Sequence, residues 1–374
     1  MCTEIKNIQI WQEGGGFESG SLFVAEGEFV APCAADCVVD GQGMLAIPGL
    51  VDIHTHGRLG VDFTNATYRQ LLDIADDFAR HGVTSLTPAL ASASFDEWKQ
   101  MALRVAACPH PAYVGLHLEG RYLSPARRGA HAPALLTPPN ADEVLEISDD
   151  ISPLPLRVTY APELEGAAEF AARLSRCGIA LSVGHTDADY QTTCQALANG
   201  ANAVTHLFNT MPPLHHRAGG AIAAALMSDA YTELICDGFH VAPEMVKLAY
   251  RMKGKQRLVL VSDSMEGTGC PDGEYSIAGQ PVKLENGEAY TLDGHIAGST
   301  LNLLDGVRNL SEFAEISFAD AVFAATAAPA ALLGLSHIGS LRVGARADLL
   351  LLDGEGKRGD LPARVMQCGE WLAS

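Results

Sequence analysis

The sequence predicts an α/β protein, a TIM-like (β/α)8 barrel with a small β-sandwich domain formed by both chain termini. Three observations predict it. Through the middle of the chain, short apolar runs alternate with helix-length amphipathic segments about eight times, as parallel strands joined by crossover helices require. Both ends instead carry short alternating runs separated by glycines, the pattern of small antiparallel strands. Histidines or carboxylates also recur where the predicted middle strands finish, and that is the face on which a barrel gathers its chemistry.

Taken in order, residues 1–45 hold Ile8-Gln9-Ile10, Ser21-Leu22-Phe23-Val24 and Cys37-Val38-Val39. From residue 339 the pattern returns in Ala347-Asp348-Leu349-Leu350-Leu351-Leu352-Asp353 and Arg364-Val365-Met366-Gln367-Cys368. Neither end has residues enough for a core of its own. Residues 1–45 and 339–374 are therefore expected to pair into one β-sandwich, interrupted by a barrel domain over 46–338. Barrel strands are expected at 47–53, 83–87, 112–118, 155–160, 179–184, 202–206, 232–236 and 257–262, with helices such as 68–81, 95–107, 166–177 and 243–252 between them. A doubly wound open sheet is the alternative, but no Gly-x-Gly-x-x-Gly follows an early strand. Residues 273–298 break the alternation, with a hairpin expected around Asn286-Gly287.

Bulk properties narrow the function. A content of 48% hydrophobic and 19% charged residues in 374 suits a globular enzyme, and no apolar run approaches the roughly 20 residues that span a bilayer. The N-terminal Met1-Cys2-Thr3-Glu4-Ile5-Lys6 lacks the features of a secretory signal, which implies a cytoplasmic location. Nine cysteines without a CxxC pair argue against a disulfide framework, and Cys33 and Cys37 read as small buried residues. A net charge of −20 disfavours nucleic acid. An anionic substrate would need local cations, for which Arg121, Arg127, Arg128 and Arg217 are the candidates beside the predicted strand ends.

The central stretch is Ile47-Pro48-Gly49-Leu50-Val51-Asp52-Ile53-His54-Thr55-His56-Gly57. Residues i and i+2 of a strand point the same way, so His54 and His56 can aim two imidazoles at one divalent cation such as zinc. Later strands finish in Gly115-Leu116-His117-Leu118-Glu119-Gly120, Val183-Gly184-His185-Thr186, Val204-Thr205-His206-Leu207-Phe208-Asn209 and Val261-Ser262-Asp263-Ser264. A hydrolytic site of one or two metals needs such imidazole and carboxylate ligands plus a position for water. Glu119, His185 and His206 supply one set. His54 and His56, sharing Glu119 or Asp263, supply a second, and Asp263 is also the candidate general base. His117 reads as packing or support behind the ligands.

These motifs, in this order and over nearly the whole chain, resemble the N-acetylglucosamine-6-phosphate deacetylase family of the amidohydrolase superfamily. His-Leu-Glu-Gly with Thr-His-Leu-Phe-Asn marks that branch, whereas His-x-His marks only the superfamily. The resemblance implies a homodimer and metal-dependent hydrolysis of an acetamide to acetate and an amino-sugar phosphate. It also implies substrate-contacting roles for His131, for Asn209, His216 and Arg217 near the phosphate, for His240, and for the loop Ala297-Gly298-Ser299. In relatives the arginine reaches across the dimer into the partner's site. Two departures stand out: Arg121 follows His-Leu-Glu-Gly where the family usually has proline, and Ala218-Gly219-Gly220 replaces Glu-Pro-Gly after Arg217. A cation at position 121 would add an anion contact or reshape the sugar pocket, and N-acetylgalactosamine-6-phosphate or another N-acylated sugar is the alternative substrate. Other amidohydrolases bridge two metals with a carboxylated lysine on strand 4, but this strand has none. A barrel without catalysis would lack ligands, and none of the expected positions is missing.

Overall fold

The computed structural model describes residues 1–292 and 294–373. Eight parallel strands form one sheet in sequence order: β1 (Leu50–Thr55), β2 (Val83–Leu90), β3 (Leu116–Glu119), β4 (Leu156–Tyr160), β5 (Ala180–Val183), β6 (Ala203–Val204), β7 (Tyr231–Ile235) and β8 (Leu258–Val261). Backbone bonds just beyond the strands draw the two edges together, Asp263 N to His54 O at 2.9 Å and His56 N to Ser264 O at 2.7 Å. The sheet is thereby a nearly closed barrel.

Helices α1 (Tyr68–Arg80), α2 (Phe95–Ala106), α3 (Ala141–Ile151), α4 (Ala167–Arg176), α5 (Tyr190–Ala198), α6 (Gly220–Met227), α7 (Pro243–Lys253) and α8 (Leu303–Ala314) follow the strands in turn. Helix α1 shows why they pack. Leu71, Ile74, Ala75, Phe78 and Ala79 fall at helical spacing on one buried stripe. Thr67 and Gln70 close a capping box at its start, as Ser94 and Glu97 do for α2. Among the described residues no helix is long and apolar enough to cross a membrane.

The chain ends form a separate sheet. Its centre is the strand Cys2–Trp11, paired antiparallel with Phe17–Ala25, while Leu349–Leu352 from the other end joins through Leu45–Pro48. The expectation of purely antiparallel pairing fails at two strands. Cys37–Asp40 and Leu45–Pro48 both run parallel to Cys2–Trp11, because the chain travels one way along a single edge of that long strand. The expected strand 47–53 is likewise two strands. Ile47 and Pro48 belong to the terminal sheet, Leu50 opens the barrel, and Gly49 joins them where a Cβ would lie 2.0 Å from Thr84 Oγ1.

The cysteine reading also needs correction. Cys2 and Cys33 form a disulfide, and Cys33 and Cys37 are exposed rather than buried. The loop before Cys37 folds back over the first strand, with Asp36 N donating to Cys2 O at 2.8 Å. A separation of 31 residues hides that return from any reading of spacing.

Over the C-terminal mouth of the barrel lies a small antiparallel sheet of Gly273–Ile277, Gln280–Glu285 and Glu288–Thr291. Its last two strands turn at Asn286 and Gly287, whose φ values of 54° and 81° suit a tight hairpin turn.

Candidate metal centre

Strand ends deliver the site. His54 from β1, Glu119 from β3, and His56, His185, His206 and Asp263 just past their strands converge at the barrel's C-terminal end, all buried. Glu119 is the hub. Its Oε2 lies 3.2 Å from His54 Nε2 and 2.8 Å from His56 Nε2, and its Oε1 lies 3.3 Å from His185 Nε2 and 3.0 Å from His206 Nε2. Asp263 Oδ1 stands 3.3 Å from His56 Nε2 and 3.6 Å from His54 Nε2. Beside Glu119, Gly120 is needed for close approach, since a Cβ there would meet Ser92 N at 2.5 Å.

Three of these residues hold unusual backbone. His185, His206 and Asp263 have φ values of 46°, 26° and 50°, a region that costs a side chain of the order of 1 kcal/mol or more. Each turns sharply out of its strand, which aims its side chain inward over the barrel end.

The donor chemistry fits divalent cations. His56 Nδ1 donates to Ala89 O at 3.1 Å, His185 Nδ1 to Arg127 O at 3.0 Å, and His54 Nδ1 to a Glu233 carboxylate oxygen at 3.0 Å. With Nδ1 protonated, a neutral ring presents a bare Nε2 lone pair. Three lone pairs then face the oxygens of Glu119, a repulsive arrangement that a cation between them converts into ligation. His54 Nε2 is buried without a hydrogen-bond partner. Candidate ligand atoms of His54, His56 and Asp263, and of Glu119, His131 and His185, lie within 4.8 Å of one another in each group. The spacing of the first group accommodates bonds of about 2.0–2.2 Å to a shared zinc-sized ion.

Electrostatics express the same demand for positive charge. Burial pulls His54 and His56 down, but the carboxylates of Glu119 and Asp263 outweigh it, leaving His54 well above the ordinary imidazole value and His56 pushed up to about 10. Burial pushes the two carboxyls up, yet the neighbouring imidazoles hold Glu119 well below the usual range and Asp263 down at about 2.

Above the cluster opens a cavity of about 610 Å³, lined by His56, Glu119, His185, His206 and Asp263 together with His131, Asn209, His240, Ala297 and Gly298. His131 Nδ1 accepts from Ser92 N at 3.2 Å, and burial with the neighbouring His185 holds the ring well below its ordinary value. Its single proton is therefore on Nε2, 3.9 Å from Glu119. His240 is fixed through Nδ1 by Asp237 at 2.6 Å.

Two of the expected contacts, Arg121 and Ser299, lie outside the cavity, and His216 and Arg217 lie on the exposed surface, outside its lining. Arg121 does not line the cavity: its guanidinium donates to Ala93 O at 3.1 Å and Glu143 at 3.3 Å and lies over Trp98, because α3 and that carbonyl offer it acceptors behind the strand. His216 and Arg217 are exposed and bonded to each other at 2.8 Å. Ser299 is buried beneath Asp263, whose carbonyl accepts from Ser299 N at 2.8 Å. Arg127 and Arg128 do line the cavity, the first paired with Asp187 at 2.8 Å.

Sequence reasoning missed Glu233 and Arg157, an ion pair with no exposure in the barrel interior below the ligands. The signal was present. Each is a lone charge inside an otherwise uncharged buried strand, Thr232-Glu233-Leu234-Ile235 and Leu156-Arg157-Val158-Thr159, where an ion is rarely tolerated without a partner.

Comparison with known proteins agrees with this geometry. Residues 45–369 match the amidohydrolase family. The chain is 35% identical to an N-acetylglucosamine-6-phosphate deacetylase of Vibrio furnissii, covering 83% of this chain and 79% of that one. It is 34% identical to an N-acetylgalactosamine-6-phosphate deacetylase of Escherichia coli O157:H7, covering 94% and 96%. Among solved structures, N-acetyl-D-glucosamine-6-phosphate deacetylase from Mycobacterium smegmatis superposes with a TM-score of 0.90 at 32% identity, covering 100% of both chains.

Proposed function

The chain belongs to the amidohydrolase family, and on that premise we propose that it hydrolyses the acetamide of N-acetylglucosamine 6-phosphate, releasing acetate and glucosamine 6-phosphate. The observation that carries this reading is the set of four imidazoles within 3.3 Å of Glu119, with Asp263 beside it, on the floor of the cavity. A space of that size suits a phosphorylated monosaccharide.

Zinc is the cation that best suits a ligand set of imidazole and carboxylate without thiolate. Glu119, His185 and His206 would hold one ion, and His54 and His56, with Asp263 or Glu119, a second. A bound divalent ion lowers the pKa of water and polarises a carbonyl oxygen. The chain's own residues do the rest. Asp263, ionised beside the ligands, takes a proton from the attacking water and returns it to the departing amine. His131 offers its Nε2 proton to the oxygen that gains charge as the tetrahedral centre forms. Asn209, His240, Ala297 and Gly298 position the sugar. The enzyme acts in the cytoplasm as a homodimer, in which the exposed segment of His216 and Arg217 reaches the phosphate in the partner's cavity.

The Escherichia coli relative supports a second reading, the galactosamine isomer as substrate. Acetate release from both 6-phosphates and from unphosphorylated N-acetylglucosamine, on protein of known metal content, decides between them. Preference for the glucosamine 6-phosphate derivative is the expected result. Absence of acetate from all three, with metal bound, would overturn the substrate assignment.

A further inference from the structure

Below the cluster, one carboxylate touches both groups of candidate ligands. Glu233 Oε2 accepts from His54 Nδ1 at 3.0 Å and from the backbone N–H of His206 at 3.2 Å. Its other oxygen is ion-paired with Arg157, whose Nη2 donates to Ser182 Oγ at 2.9 Å. Glu233 and Arg157 are both fully buried.

As structure alone, this pair is a poor investment. Apolar residues of similar volume often replace a buried ion pair with neutral or favourable effect on stability, because both charges lose their hydration. What an apolar pair could not do is accept a hydrogen bond from His54 Nδ1–H. A carboxylate can only accept, so it fixes the ring in the tautomer whose bare Nε2 faces Glu119, and its negative charge makes that nitrogen a better donor to a cation. The same oxygen pins the backbone of His206, where φ is 26°.

We propose that Glu233, braced by Arg157, is a positioning residue for both cation positions, setting the tautomer of His54 and the backbone of His206. The proposal rests on the reading of the cluster as a metal centre.

The test is titration of chelator-stripped protein with Zn2+ against a chromophoric competitor, giving stoichiometry and affinity, alongside thermal unfolding of the metal-free proteins. The variants are Glu233→Gln and the double substitution Glu233→Leu with Arg157→Leu. The double variant, without metal, is expected to melt at or near the native temperature, yet to bind zinc about 10- to 100-fold more weakly. Glu233→Gln keeps an oxygen acceptor for His54 but loses the charge, so its affinity should fall between the two. A folded double variant that binds zinc as tightly as the native chain would overturn the proposal. If the double variant does not fold, Glu233→Gln decides alone: weakened binding supports the positioning role and native affinity refutes it. Native protein that binds no zinc would instead remove the metal centre itself, and this role with it.

Discussion

Asp263 combines a strained backbone with a carboxyl held at about 2, burial opposing and the imidazoles of His54 and His56 prevailing. It is thus ionised at neutral pH and placed above the ligands, 3.3 Å from His56. Changing Asp263→Asn removes the proton acceptor while preserving shape. Turnover should drop by about 10²- to 10⁴-fold, the worth of a general base, with melting temperature close to native and the ion held by Glu119, His185 and His206 retained. If kcat stays within a factor of a few of native in metal-replete protein, the proton goes elsewhere. Arg121 teaches the opposite lesson at this scale. Its position in the sequence, two residues after Glu119, suggested the pocket, but its guanidinium finds Glu143 and Trp98 behind the strand. Neighbours in sequence at a strand end can face opposite sides, and only packing decides which.

At the scale of elements, the strands and their ends were legible because burial on both faces writes a near-continuous apolar run, and polar residues are admitted only where the run stops. That logic located His54, His56, Glu119, His185, His206 and Asp263. It passed over Glu233 and Arg157 because these two lie within β7 and β4 rather than at their ends. The chain's return over Cys2 and the parallel edge strands were illegible for another reason: they depend on which edge of a sheet a loop reaches. Between elements, Lys253 at the end of α7 donates to Ala225 O at 2.9 Å and Ser228 O at 2.6 Å, satisfying carbonyls at the C-terminus of α6. Burial nevertheless pushes its ammonium down to about 8. An unfolded lysine keeps its proton to about pH 10.4. Between those values the unfolded chain binds more protons, so this group's contribution to stability rises with pH and is most unfavourable below 8. Urea denaturation across that range should show the rise in native protein and a flatter profile in Lys253→Met. Identical slopes would mean that the lysine keeps its ordinary affinity for protons in the folded state.

For the whole molecule, we propose the division anticipated from the chain ends, residues 1–45 and 339–374 as one β-domain and 46–338 as the catalytic barrel, with the strand Leu45–Pro48 crossing the boundary to pair within the terminal sheet. The two are not independent in energy. Trp11, Leu350, Leu352 and Val365 from the terminal segments are buried in the same hydrophobic core as α1 and β2. Polar bonds cross the same boundary: Trp11 Nε1 donates to Ala319 O at 2.8 Å, Gln367 Nε2 to Thr84 O at 2.8 Å and Arg346 Nη1 to Pro111 O at 2.9 Å. Removing the chain ends uncovers the barrel surface that these four side chains cover; at about 1.5–3 kcal/mol per large apolar side chain buried, a comparable area forfeits roughly 6–12 kcal/mol, which is comparable to the entire net stability of about 5–15 kcal/mol typical of a folded protein. A fragment of residues 46–338 should therefore fail to fold, and the full chain should unfold by circular dichroism and intrinsic fluorescence in one coincident transition. A soluble fragment with its own cooperative melt, or two separated transitions in the full chain, would show that the barrel holds itself together. The terminal sheet would then be an appendage rather than the floor on which the metal-bearing strands are assembled.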